Sequence, residues 1–160
     1  MAEKVNEMRA YVALTLGAVS AALGWFGWLM VLFVICMTVD WITGSAAAMR
    51  SGEWASGKAR DGIWHKFGSV IIVMVAAAAD LLIGSMINHI PGIVLPFTYE
   101  LMLCPIVTVW YTVAELGSIV ENAVKLGAPV PKFLRRVLAV IEVTVDAAGE
   151  GLVPGDKKEE

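Results

Sequence analysis

Not one charged side chain occurs between Arg9 and Asp40, a gap of 30 residues from Ala10 to Val39. Charge is scarce elsewhere too. Only 17% of the 160 residues are Asp, Glu, Lys or Arg, while 58% are hydrophobic, whereas soluble domains are about 25% charged. That balance excludes an ordinary soluble globular domain. A run of roughly 20 uncharged residues is what a hydrocarbon core of about 30 Å demands of a helix rising 1.5 Å per residue, and several such runs are present. A cleavable secretory leader does not fit, because the first run is too long and further hydrophobic spans follow it.

Other shortages narrow the chemistry. There are two cysteines, Cys36 and Cys104, both inside apolar runs. With no paired spacing, they read as small buried hydrophobes rather than a disulfide or metal framework. The two histidines, His65 and His89, fall at opposite ends of an apolar span and cannot share a metal. No glycine-rich nucleotide loop, nucleophile elbow, HExxH or Asn-x-Ser/Thr site occurs. The sequence therefore points to no enzyme, no metal and no cofactor. The basic residues between Arg50 and Lys66 read as a topology signal and an anionic-lipid contact rather than a nucleic-acid site.

The pattern predicts an all-α integral membrane protein, a bundle of three to four transmembrane helices with a C-terminal amphipathic helix. Residues 1–124 form the membrane domain, with spans expected near 7–23, 28–49, 67–88 and 93–115. Gly24-Trp25-Phe26-Gly27-Trp28 lies midway along the first uncharged run. It favours a hairpin there, one long tilted helix being the alternative. Asn88-His89-Ile90-Pro91-Gly92 reads as a turn, and Pro96 and Pro105 should kink the last span. From 125 to 148 the chain is basic and amphipathic. Phe133, Leu134, Val137, Leu138, Ile141 and Val145 share one face, as expected of a cytoplasmic helix on the membrane surface or on a partner. Residues 149–160 should be disordered.

Lys and Arg collect at Lys4 and Arg9, in the loop with Arg50, Lys58, Arg60 and Lys66, and around Lys132, Arg135 and Arg136. By the positive-inside rule all three clusters are cytoplasmic in a four-span arrangement, with the C-terminus inside. The basic residues of the loop and C-terminal stretch are then lipid contacts. A second start at Met8 would remove Lys4 together with Glu3 and Glu7.

Acids inside the spans are the candidate functional residues, since a charge at mid-bilayer costs about 2.5–3.5 kcal/mol on insertion scales. Asp80 interrupts an otherwise uncharged span, with Ala76 and Gly84 one turn away on either side. Asp40 is followed by Thr43 and Gly44. Glu100, Cys104, Thr108, Thr112, Glu115, Ser118 and Asn122 form a polar stripe at helical spacing. No Lys or Arg lies in the apolar core of any span to pair with Asp80. Either protonated carboxyls hydrogen-bond across helix pairs, or the acids and the stripe line a water path once subunits assemble. Both readings place Asp40, Thr43, Gly44, Asp80, Gly84, Glu100, Thr108, Thr112, Glu115 and Asn122 at a helix interface or pore. Both call for shielding by neighbouring copies in a homo-oligomer.

Asp40-Trp41-Ile42-Thr43-Gly44, the basic Gly/Ser loop, Asp80-Leu81-Leu82 and the segment Glu115 to Leu138, which reads E-x-x-S-x-x-E-N-A-x-x-L-G-x-P-x-P-K through Lys132, occur in an order that resembles the phage-lysis and toxin-secretion holin family. The similarity runs from about Trp28 to Leu138. It implies a small bacterial inner-membrane protein that oligomerises into a lesion, releasing an endolysin or toxin and timing host lysis, with the endolysin as a functional partner. The rival class is a small proton-coupled multidrug-type transporter, which needs one dominant acid in a binding chamber. A membrane adaptor recruiting a partner through its amphipathic helix is a third.

Overall fold

The computed structural model describes residues 2–89, 99 and 101–152 and folds them into four helices. They are α1 (Ala2–Ser51), α2 (Ser56–His89), α3 (Leu103–Lys125) and α4 (Lys132–Glu150). Among the described residues, three stretches are long and apolar enough to cross a membrane: Gly24–Ser51, Ala59–Ile87 and Leu103–Lys125. The protein is an all-α membrane protein.

Glycine ends two of these helices for the same physical reason. Gly52 and Gly127 hold φ values of 72° and 91°, left-handed backbone that side chains with a Cβ rarely adopt. Each closes its helix with the paired bonds of a Schellman turn. Gly52 N–H donates to Met49 and Glu53 N–H to Ala48, as Gly127 N–H does to Val124 and Ala128 N–H to Ala123.

Gly24 breaks α1 internally at φ 57°, ψ −153°, a combination essentially confined to glycine. The break falls where the sequence suggested a hairpin. Of the N-terminal segment before it, the large apolar side chains Met8, Tyr11, Val12 and Leu14 are exposed and do not pack on the bundle. The second, third and fourth expected spans correspond to the three apolar stretches, with different limits. The stretch in α2 starts at Ala59. Helix α3 begins only at Leu103: Tyr99, Leu101 and Met102 are non-helical, and Tyr99 and Met102 are held by α2 as described below. Pro105 does not kink α3. It occupies the first helical turn, where its missing N–H would have no intrahelical partner in any case. Most of the expected Asn88–Gly92 turn, together with Pro96, lies outside the described residues, as does the C-terminal tail from residue 153.

Helices α1 and α3 form the most extensive pair, α4 lies along α3, and α2 touches α3 more than α1. The core is narrow: Phe33, Met37, Val73, Ala76 and Cys104 are buried, with Phe26, Met30, Leu103, Val107 and Tyr111 packed around them. Outside it, Leu32, Val34, Ile35 and Ile42 on α1 and Ile71, Ile72, Met74, Val75, Leu81, Leu82 and Met86 on α2 are exposed. A surface this apolar is suited to acyl chains rather than water.

Candidate functional site

Two polar clasps fasten α2 to the α1–α3 pair. The first is built from Asp40, Thr43 and Gly44, which share one face of α1 at helical spacing, Lys66 on α2, and Glu115 and Asn122 two turns apart on α3. Lys66 Nζ donates to Asp40 Oδ2 at 2.9 Å and also to a Glu115 carboxylate oxygen. Asn122 Nδ2 donates to Asp40 Oδ1 at 2.9 Å and stands 3.4 Å from the Thr43 hydroxyl. That hydroxyl is turned back to donate to the Val39 carbonyl at 2.8 Å. A Cβ on Gly44 would stand 3.3 Å from Asn122 Nδ2, so the glycine makes room for the amide.

These contacts explain the spacing of the acid, threonine and glycine after the first apolar run. They also place the cluster along the bundle. The uncharged stretches of α1, α2 and α3 end at Asp40, Lys66 and Glu115 respectively, and those three residues meet. The clasp therefore marks one edge of the apolar slab. Beyond it, Arg50 donates to the Leu126 carbonyl at the C-terminal end of α3. Lys66 also borders an open groove of about 540 Å³ between α2 and α3, lined by Asp61, His65, Ser69, Glu115 and Ser118 among others.

The second clasp centres on Asp80, which is 1% exposed. Its Oδ1 accepts from the Tyr99 hydroxyl at 2.6 Å and from the backbone N–H groups of Met102 and Leu103 at 3.2 and 3.0 Å. Its Oδ2 accepts from Cys104 N–H at 2.8 Å. A helix start leaves its first N–H groups without intrahelical partners, and α3 has no side-chain cap of its own. Asp80 supplies that cap from another helix, with its charge placed at the positive end of the α3 dipole. Gly84 serves the same arrangement, since a Cβ there would stand 3.3 Å from the Tyr99 ring.

Between the clasps, the polar stripe of α3 faces into the chain. Thr108 is fully buried, and its hydroxyl donates to the Cys104 carbonyl at 2.7 Å beside Met30 Sδ. Thr112 donates in the same way to Thr108. With their hydroxyls satisfied one turn back, both threonines pack as small side chains in the α1–α3 seam.

The residues expected at a pore or interface thus separate into three groups. Asp40, Thr43, Gly44, Glu115 and Asn122 come together in one clasp, Asp80 and Gly84 belong to the other, and Thr108 and Thr112 lie in the seam. Glu100 and the side chain of Lys58 lie outside the described residues. Asp40, Asp80 and Glu115, expected to be shielded by neighbouring copies, have partners within the same chain. Lys66, expected as a lipid contact, is the base of the first clasp, and Arg50 holds a helix end. Arg60, Lys132, Arg135 and Arg136 are exposed. Sequence reasoning missed Tyr99 as a ligand of Asp80. It also missed the docking of α4, whose Asp146 accepts from Trp110 Nε1 at 2.7 Å.

Comparison with known proteins gives this arrangement a context. An uncharacterized protein of Listeria monocytogenes is 28% identical over 115 residues, covering 71% of this chain and 72% of its own length. One of Halalkalibacterium halodurans is 29% identical over 130 residues, covering 81% and 90%. No solved structure matches the chain. The family model described as the bacteriophage holin family matches residues 17–143, a stretch containing every residue of both clasps, and the chain belongs to that family.

Proposed function

We propose that this protein is a holin of the bacterial cytoplasmic membrane, with its C-terminus in the cytoplasm, that assembles as a homo-oligomer into a lesion through which an endolysin or toxin reaches the cell wall. The observation that carries the reading is the first clasp. The residues that bear the family resemblance, Asp40, Thr43 and Gly44 on one side and Glu115 and Asn122 on the other, meet one another around Lys66. A subunit whose membrane acids are satisfied internally can accumulate without perturbing the bilayer. The same acids, released from Lys66 and from the α3 backbone, would line a hydrated lesion among packed copies. Lysis timing is then the lifetime of the closed subunit. The endolysin need not touch the holin.

Transport by one dominant acid is less well supported, because Asp80 is engaged by four donors and Asp40 and Glu115 share one lysine. Induction in a bacterial host, with and without a co-expressed endolysin, tests the proposal. The expected result is a delay followed by abrupt loss of membrane potential and, with endolysin present, lysis. Graded resistance to hydrophobic cations without abrupt depolarisation would instead establish the transporter.

A further inference from the structure

Beyond the slab edge that the first clasp marks, α1 and α2 part along a groove of about 190 Å³. Gly44, Ser45 and Ala48 form one wall and Ala55, Ala59 and Gly62 the other, and among the described residues none from α3 or α4 lines it. Glu53 stands exposed at the end away from the clasp. Walls of such small side chains admit the ridge of another helix. The first half of α4 presents a ridge of the opposite kind. Leu138 is turned towards α3, while Phe133, Val137 and Val140, at spacings of four and three residues, are 66%, 49% and 65% exposed. Lys132 precedes them and is also exposed.

Ridge and groove stand at one height. Gly44 lies against Asn122 and Arg50 bonds to the Leu126 carbonyl, so α1 from 44 to 50 is level with α3 from 122 to 126. Arg135, Leu138 and Glu142 share a groove with Gly117, Glu121 and Lys125, which sets the first half of α4 level with the same end of α3. We infer that the Phe133–Val137–Val140 ridge of one copy seats in the α1–α2 groove of a second copy, with Lys132 of the first against Glu53 of the second. Copies inserted in one bilayer share orientation and depth, so features of equal height meet whenever two bundles come side by side. The contact joins large apolar side chains to a groove of small ones, and a base to an acid. Within one chain it cannot form, because α4 is held on α3, away from the groove. Ridge and groove are different patches, so a pair leaves one of each free, and the contact extends into a ring or an open array. The inference rests on the homo-oligomer of the proposed function and supplies its contact surface.

Disulfide cross-linking of the full chain in bacterial membranes tests it, with depolarisation followed in the same cells. Copies carrying Val137→Cys and copies carrying Ser45→Cys bear different affinity tags and are produced together. The parental chain, whose Cys36 and Cys104 are buried, is the blank. Oxidation should yield two-tag dimers several-fold above the same-tag dimers of either variant, and a chain with both cysteines should yield a ladder beyond the dimer. Phe133→Cys with Ala59→Cys is the second pair, used if the first accumulates poorly. Lys132→Glu in the Val137→Cys copy should lower the two-tag yield several-fold, and Glu53→Lys in the Ser45→Cys copy should restore it, a rescue that random collision would not show. Predominant dimers of Val137→Cys with itself would overturn the inference in favour of paired α4 helices, and absence of cross-links in both pairs would overturn it in favour of lipid over the ridge. Abrupt depolarisation without two-tag dimers would reject this contact and leave the lesion standing, whereas a ladder without depolarisation would do the reverse.

Discussion

Lys66 is shared by two carboxylates that would otherwise face each other at the edge of the apolar slab, all three side chains being only 11–18% exposed. Lys66→Met should therefore destabilise the folded chain by about 2–4 kcal/mol, near the range for breaking a largely buried pair. The triple variant that adds Asp40→Asn and Glu115→Gln should recover most of the loss. Unfolding in mixed micelles, read by helical signal, checks both, and a neutral Lys66→Met would remove the clasp from the stability of the fold. Gly44→Ala crowds Asn122 but gains helix propensity worth up to about 1 kcal/mol, so it should be near neutral. Gly44→Val overfills the same space and should cost about 1–3 kcal/mol by the same measurement.

At the scale of helices, the lengths of the uncharged runs made three membrane stretches legible, and Gly24 was legible as a break. Which side of each helix faces its neighbours was not, because the partners are remote in sequence: Asp40 meets Lys66 and Asn122, and Asp80 meets the start of α3. The late start of α3 has the same origin, since apolar composition continues through Leu101 and Met102 while the N–H of Met102, like those of Leu103 and Cys104, is bound to Asp80. For α4 the periodicity was plain, but its docking along α3 includes the bond from Trp110 to Asp146, and an indole N–H has no sequence signature as a docking group. Gly24→Ala tests the break in α1 directly. A Cβ meets no atom there, so the penalty is conformational, about 1–3 kcal/mol if the break is kept. The expected response is straightening. Spin labels at Leu14 and Ile35, both exposed, should move in Gly24→Ala to the roughly 31 Å separation of a continuous helix. An identical distance in both proteins would place the break elsewhere.

For the whole molecule, the two clasps grip α2 at points about 21 Å apart, the rise of the helix from Lys66 to Asp80, while α1 and α3 are joined by side-chain packing together with the Asn122–Asp40 and Arg50–Leu126 bonds. Helix α2 adds to the core packing of Val73 and Ala76 a polar fastening at two points, and polar bonds are what a change in hydration or membrane potential acts upon; one elementary charge across 100 mV is worth about 2.3 kcal/mol. If departure of α2 limits lesion formation, loosening either clasp should hasten lysis and tethering α2 should delay it. Lys66→Met and Asp80→Asn should each shorten the interval to depolarisation at equal membrane abundance. Val73→Cys, opposite native Cys104, whose thiol donates to the Val73 carbonyl at 3.6 Å, should lengthen that interval under oxidising conditions and return to the parental timing with reductant. Earlier depolarisation in the loosened variants, with no effect of the tether, would mean that subunits assemble with α2 still in place. The acids would then enter the lesion by rearrangement of α1 and α3 instead.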